Sequence, residues 1–263
     1  MPTDNSFLSW VVFIFQNNWP LFLMGARNTL IIALTGTVIG FFIGVLIGVI
    51  RTIPIDHNTG PLARFGYKIL NFLLLCYIEV FRGTPMIVQA MVIFYGVAML
   101  YGIHLSPIFA GIFIVSINTG AYMAEIVRGG ILSVDKGQFE AAHAIGMTHA
   151  QTMAHIVLPQ AIRNILPATS NEFVINIKDT SVLNVISVTE LFFMSKSAAG
   201  NNFRYFEVFL ITCIIYFIMT FTVTRVLRYL EIKLDGPSVY TIHGSQTVPE
   251  AEIRIVGRDK ING

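Results

Sequence analysis

Long uncharged stretches separated by short charged ones organise this chain. From Asn28 to Ile50 it runs 23 residues without a charge, and at ~1.5 Å per residue such a helix just exceeds the roughly 30 Å hydrocarbon core of a bilayer. This is the first predicted span. Its Gly36, Gly40, Gly44 and Gly48 recur every four residues, forming a stripe along which another helix can approach closely. Gly83 to Ala124 is uncharged for 42 residues, about twice one crossing, which predicts two spans that turn near Gly102 to Pro107. Ile69 to Ile78 is also apolar but meets Glu79 and Arg82. It either crosses separately or extends the second span as a helix bent at Pro85. Asn164 to Leu191 is long enough for a fourth span with a polar interior, since it holds Glu172, Lys178 and Asp179. Val208 to Thr224 supplies a short last span of 17 residues, with Tyr205, Phe206 and Tyr229 as interfacial anchors. Phe7 to Leu23 is interrupted by Gln16-Asn17-Asn18 and Pro20 and reads as an interfacial helix.

The expected fold is therefore an all-α membrane protein with about five transmembrane helices. An interfacial segment covers residues 1–24, the transmembrane domain 25–232, and a polar, flexible cytoplasmic tail 233–263 follows the stop at Asp235-Gly236-Pro237. Basic residues set the orientation. Arg51, Arg64 and Lys68 follow the first span, Arg128, Lys136 and Arg163 surround the loop after the third, and Arg225, Arg228 and Lys233 close the last. Placing all three groups in the cytoplasm satisfies the positive-inside rule and puts the N-terminus outside.

Composition agrees with the pattern. Hydrophobic residues make up 54% and charged residues 12% of the chain, with a mean hydropathy of +0.69, against about 25% charged in soluble domains. A water-soluble enzyme is excluded, and a net charge of +2 without a long basic run gives no nucleic-acid surface. Cys76 and Cys213, both in apolar runs, build neither a disulfide framework nor a cysteine zinc site.

The loop between the third and fourth spans carries structure of its own. Asp135 with Gln138 has capping-box spacing and opens a helix through Ile145, with Gly146 suited to a left-handed cap. Thr148 with Gln151 repeats the spacing, and the second helix runs to Leu158-Pro159, where proline stops or bends it. Ala141, Ala142 and Ala144 beside Glu140 would give the first helix a small-residue surface able to seat in a partner's groove. His143, His149 and His155 are spaced by six, which is not the i, i+4 geometry of paired helical metal ligands, so they decorate the helix surface.

Glu140-Ala141-Ala142, then Gly146, Ile156 and Leu158-Pro159 at their spacing resemble the EAA loop of ABC importer permeases. Phe81-Arg82-Gly83-Thr84-Pro85, Asn118-Thr119-Gly120-Ala121-Tyr122, Glu125 to Ile131, Asn171-Glu172-Phe173 and Lys178-Asp179-Thr180-Ser181 are similar to the polar amino acid subfamily, of histidine, glutamine, arginine and opine type. The resemblance covers roughly residues 20 to 235 and departs at Thr119, where the family usually has serine. It implies a type I importer permease fold in which the loop over 138–160 is a coupling helix. Its contact residues would be Glu140, Ala141, Ala142, Gly146, Ile156, Leu158 and Pro159. The implied partners are cytoplasmic ABC ATPase subunits, a second permease subunit (the same chain or a related one) and an extracytoplasmic solute-binding protein. The implied location is the bacterial inner membrane. No G-x-x-x-x-G-K-[ST] loop occurs here, so ATP and Mg would belong to the ATPase and this chain would bind no cofactor and catalyse nothing itself.

Charges inside spans face a partner, a polar cavity or a substrate. Lys178, Glu172 and Asp179 either satisfy one another, or Asp179 with Thr180 faces the path and receives a substrate ammonium, with Asn118 and Thr119 as companions. Arg82 with Glu79, and Glu125 with Arg128, either pair on their own helix faces or join the path. A secondary transporter or ion channel also uses buried charges but leaves the loop unexplained, and no inverted repeat is evident. An intramembrane enzyme lacks a nucleophile with its base and orienting group.

Overall fold

The computed structural model describes residues 6–54, 60–235, 240–242 and 253–255. In chain order these form α1 (Phe7–Ile50), α2 (Pro61–Gly83), α3 (Met86–Tyr101), α4 (Pro107–Leu132), α5 (Lys136–Ala144) and α6 (His149–Thr152). A π-helical turn (Met153–Val157) leads into α7 (Leu158–Asp179), a 3-10 segment (Thr180–Ile186), α8 (Leu191–Asn202) and α9 (Tyr205–Asp235). Among the described residues, α1, α4 and α9 are long and apolar enough to cross a membrane. Two bent pairs, α2 with α3 at 112° and His149–Ile186 with α8 at 56°, bring the number to five. Ile69 to Ile78 thus belongs to a helix that bends at Thr84-Pro85 into α3. In the tail, β1 (Tyr240–Ile242) pairs antiparallel with β2 (Ile253–Ile255); the rest of the predicted flexible extension beyond Asp235 lies outside the described residues.

No break separates the expected interfacial segment 1–24 from the first span. Helix α1 is continuous for 44 residues, about 66 Å at helical rise. Asn17 and Asn18 leave it intact because their amides donate back to the Phe13 and Ile14 carbonyls at 2.7 and 2.9 Å. Pro20 sits inside the helix, and Ile14 and Phe22 are buried in a cluster with Leu191, Ala198 and Val208. The N-terminal half therefore packs on α8 and α9.

The glycine stripe sets the central contact. A Cβ built on Gly36, Gly40, Gly44 or Gly48 would lie 2.5 Å from a side-chain atom of Val115, 2.7 Å from Thr119, 2.3 Å from Met123 and 2.7 Å from Val127. Both partners advance by four residues, so α1 and α4 run parallel with their backbones in near contact. Helix α7 runs against them. Gly130 meets Ile165, and Asn176 donates to Thr119 Oγ1 at 2.9 Å and Thr37 Oγ1 at 2.8 Å, tying three helices at one buried polar node. Alternating directions of this kind suit successive crossings.

Above α7 the chain turns through Ser187, at φ 61°, to Glu190. Its carboxylate is fully buried and caps α8, accepting from the Phe192 and Phe193 N–H groups at 2.7 Å each and from the Tyr216 hydroxyl at 3.1 Å. Arg204 at the start of α9 pairs with Glu207 at 3.2 Å and lies 4.4 Å over the Trp10 ring.

Candidate coupling loop and translocation path

The loop from α4 to α7 is a rigid, capped unit. Asp135 caps α5 by accepting from the Gly137 N–H at 2.6 Å. The box predicted with Gln138 does not form, since that side chain points to Gln160 Nε2 at 3.5 Å. Helix α5 ends as foreseen on Gly146, at φ 81°. The Gly146 N–H bonds His143 O and the Met147 N–H bonds Ala142 O, each at 3.0 Å, which is the paired closure of a Schellman cap. Thr148 and Gln151 then form the predicted reciprocal box, at 3.3 and 2.9 Å. Between these caps lies a concavity of about 400 Å³ lined by Ile145, Gly146, Met147, Gln151 and His155.

Of the expected contact residues, Glu140 and Ala141 are exposed beside Ala144, while Ile156 and Leu158 are half-buried and Pro159 is exposed. Ala142 differs from its neighbours: it is 1% exposed in the single chain, because α5 packs on α6 and the π turn and must cover one face. Of the stop or bend expected at Pro159, the stop does not occur, because the proline lies in the first turn of α7 and the helix upstream widens. The Leu158 N–H reaches back to Met153 O, so the turn opens one residue before the ring that would crowd the His155 carbonyl in an α-helix. Met153 and Val157 anchor the wide turn in a cluster with Val127, Ile131, Ala161 and Ile165, joining the loop mechanically to α4 and α7.

The polar residues expected on the path divide sharply. Thr119 is 1% exposed and accepts from Asn176, and its extra methyl fills the space over Gly40. Thr180 is fully buried and donates to Ile177 O at 3.0 Å. Both are held within the helix packing of the single chain. Glu125 takes the pairing alternative: it bridges Arg51 at the end of α1 and Arg128, the latter at 3.1 Å, clamping the basic ends of α1 and α4. Asn118 donates to Phe81 O at 3.3 Å and Gln89 Oε1 at 3.0 Å, bracing the corner between α2 and α3. Arg82 forms no ion pair with Glu79 among the described residues, and its guanidinium lies 5.5 Å over the Tyr122 ring. Arg82 and Asp179 are exposed in the single chain and Glu172 is half-buried, so these three charges of α2 and α7 remain at least partly uncovered.

Residues 59–236 match the family of binding-protein-dependent transport system inner membrane components. The chain belongs to this family. This permease is 38% identical over 216 residues to the glutamine transport system permease protein GlnP of Escherichia coli (strain K12), covering 82% of this chain and 93% of that one. It is 34% identical over 221 residues to the L-cystine transport system permease protein TcyB of Bacillus subtilis (strain 168), covering 84% and 89%. A crystal structure of an amino acid ABC transporter with histidines superposes with a TM-score of 0.73 at 37% identity, over 89% of this permease and all of that chain. The MetNI methionine ABC transporter shares the fold, with a TM-score of 0.61 at 19% identity over 80% and 96%. The type I importer permease fold read from the sequence is thereby established, and the secondary-transporter and channel alternatives fall away.

Pattern reading gave no role to Arg51, Tyr122 or Gln89 at this site. For Arg51 and Gln89 a signal existed: a charge at the end of a span, and a lone amide in the apolar run of α3. Tyr122 offered none, because an aromatic residue in a span reads as packing.

Proposed function

We propose that this permease is the membrane-spanning subunit of an ATP-driven, binding-protein-dependent importer that moves a polar amino acid into the bacterial cytoplasm by alternating access. Its energy comes from separate ATPase subunits that bind ATP and Mg, and a second permease subunit closes the path. The N-terminus lies outside and the C-terminus inside. The observation that carries the reading is the capped loop with its open concavity at Gly146, joined through a buried cluster to α4 and α7. A rigid element of this kind passes a push into the spans where a disordered loop would absorb it, and alternating access needs such a bias between two states. In the membrane, Arg82, Glu172 and Asp179 offer both signs of charge, matching the carboxylate and ammonium of a zwitterionic solute.

Two experiments test this. Glu140→Lys and Ala141→Trp, both on the exposed face, abolish co-purification with the ATPase subunits while membrane insertion continues; intact co-purification in both overturns the coupling assignment. Asp179→Ala and Asp179→Asn alter uptake or the range of amino acids carried, and unchanged uptake with unchanged range in both removes Asp179 from the path.

A further inference from the structure

We propose that Gln89 is a positioning residue that fixes Arg82 on the translocation path by locking the corner between α2 and α3. The inference rests on the reading that Arg82 lines that path. The chain turns through 112° at this corner, and Pro85 is what frees its carbonyls. In a continuous helix the N–H of residue 85 would serve Phe81 O, and proline has none. The Val88 N–H turns to Pro85 O, which also accepts the regular helical bond from the Gln89 N–H, so Thr84 O loses its helical donor as well. Both orphaned carbonyls flank the Arg82-Gly83 segment.

One side chain satisfies both. Gln89 is 7% exposed, and the two hydrogens of its Nε2 are shared among Phe81 O at 3.0 Å, Thr84 O at 2.9 Å and Thr84 Oγ1 at 2.9 Å. Its Oε1 accepts from Asn118 Nδ2 at 3.0 Å, and the same Nδ2 reaches Phe81 O at 3.3 Å, tying the corner to α4. Thr84 Oγ1 passes its own proton to Val80 O at 2.7 Å. One turn along α4 from Asn118, Tyr122 lies under the Arg82 guanidinium. The peptide before Arg82 and the Thr84–Pro85 peptide after it are therefore pinned by one amide, whose removal leaves Thr84 O without this donor and Phe81 O with only the longer bond from Asn118. Gln89 acts on the substrate only through the residue it holds.

A double-variant cycle on ATP-driven amino acid uptake tests this. Gln89→Met keeps the length of the side chain and removes its donors. Expected for Gln89→Met alone is a rise in uptake KM of about tenfold, within the usual range of coupling between contacting residues, at an unchanged maximal rate and with unchanged ATPase co-purification. On an Arg82→Ala background Gln89→Met adds little. Fold-changes that multiply in the double variant, or a wild-type KM in Gln89→Met, overturn the positioning role while leaving the path reading intact. A wild-type KM in Arg82→Ala alone overturns the path reading and this inference with it. Should Gln89→Met not accumulate in the membrane, Thr84→Val, which removes one acceptor at the corner, enters the same cycle under the same criterion.

Discussion

Gly146→Ala separates the backbone requirement of the coupling loop from its contact surface. At φ 81° a Cβ at this position meets nothing within 4 Å, so alanine creates no clash inside the folded loop. Its whole cost is the left-handed backbone, about 1–2 kcal/mol for a residue with a Cβ, or a factor of roughly 5–30 in the population of the native turn. Asparagine, which enters this region far more readily, has a smaller cost. The two Schellman bonds and the Thr148–Gln151 box fix the direction of α6 only while this turn holds. Affinity of the detergent-solubilised permease for its ATPase subunits should thus fall in the order Gly146, Asn, Ala, with alanine weaker by about 5–30-fold. Gly146→Trp should fall further, because the indole fills the concavity beside Ile145 and Gln151. A titration in which alanine binds as tightly as glycine refutes the reasoning, as does a tryptophan variant no weaker than alanine.

Other substitutions probe the frame that carries the loop. Gly44→Ala would place a Cβ 2.3 Å from Met123 Cβ and 2.7 Å from its carbonyl carbon, so α1 and α4 must part; a loss of about 1–3 kcal/mol is expected, read as a lower thermal midpoint in detergent. Gly129→Ala, with nothing within 4 Å, should be neutral or slightly stabilising, and equal midpoints for the two would contradict the close parallel packing. Glu125→Gln strands Arg51, whose side chain is 11% exposed, whereas Arg128→Gln removes a partner that is 37% exposed. The first should lower thermal stability more than the second, and the reverse order would discard the clamp. Pro159→Ala lets α6 and α7 merge into one regular helix. Transport per ATP hydrolysed should drop while ATPase binding persists, and an unchanged ratio would show the wide turn to be incidental.

The local features of the loop were legible because their partners lie three to five residues away. Gly146, the Thr148–Gln151 box and the glycine stripe all follow from spacing. Membrane crossings were legible for a similar reason, since an uncharged run must find lipid or protein. Which polar residue faces which way was not legible. Thr119 is satisfied by Asn176 and Asn28 by Thr189 across separations of 57 and 161 residues, and a pattern that treats every in-span hydroxyl alike cannot separate Thr119 or Thr180 from Asn118. The expected break before residue 25 failed because Asn17 and Asn18 bond their own helix. Of the stop or bend expected at Pro159, the stop does not occur because a π turn absorbs the proline. In both places a polar or imino residue was read as a breaker when its backbone consequence had been met locally.

Transport by the assembled importer tests the central claim most directly. The permease, its ATPase subunits and its binding protein are reconstituted in vesicles with ATP on the ATPase side, and accumulation of a labelled amino acid is followed. Accumulation should require ATP hydrolysis and the loaded binding protein together, and vanish in Glu140→Lys. Uptake that proceeds without the ATPase, driven by an ion gradient or by the solute's own gradient, would contradict the account.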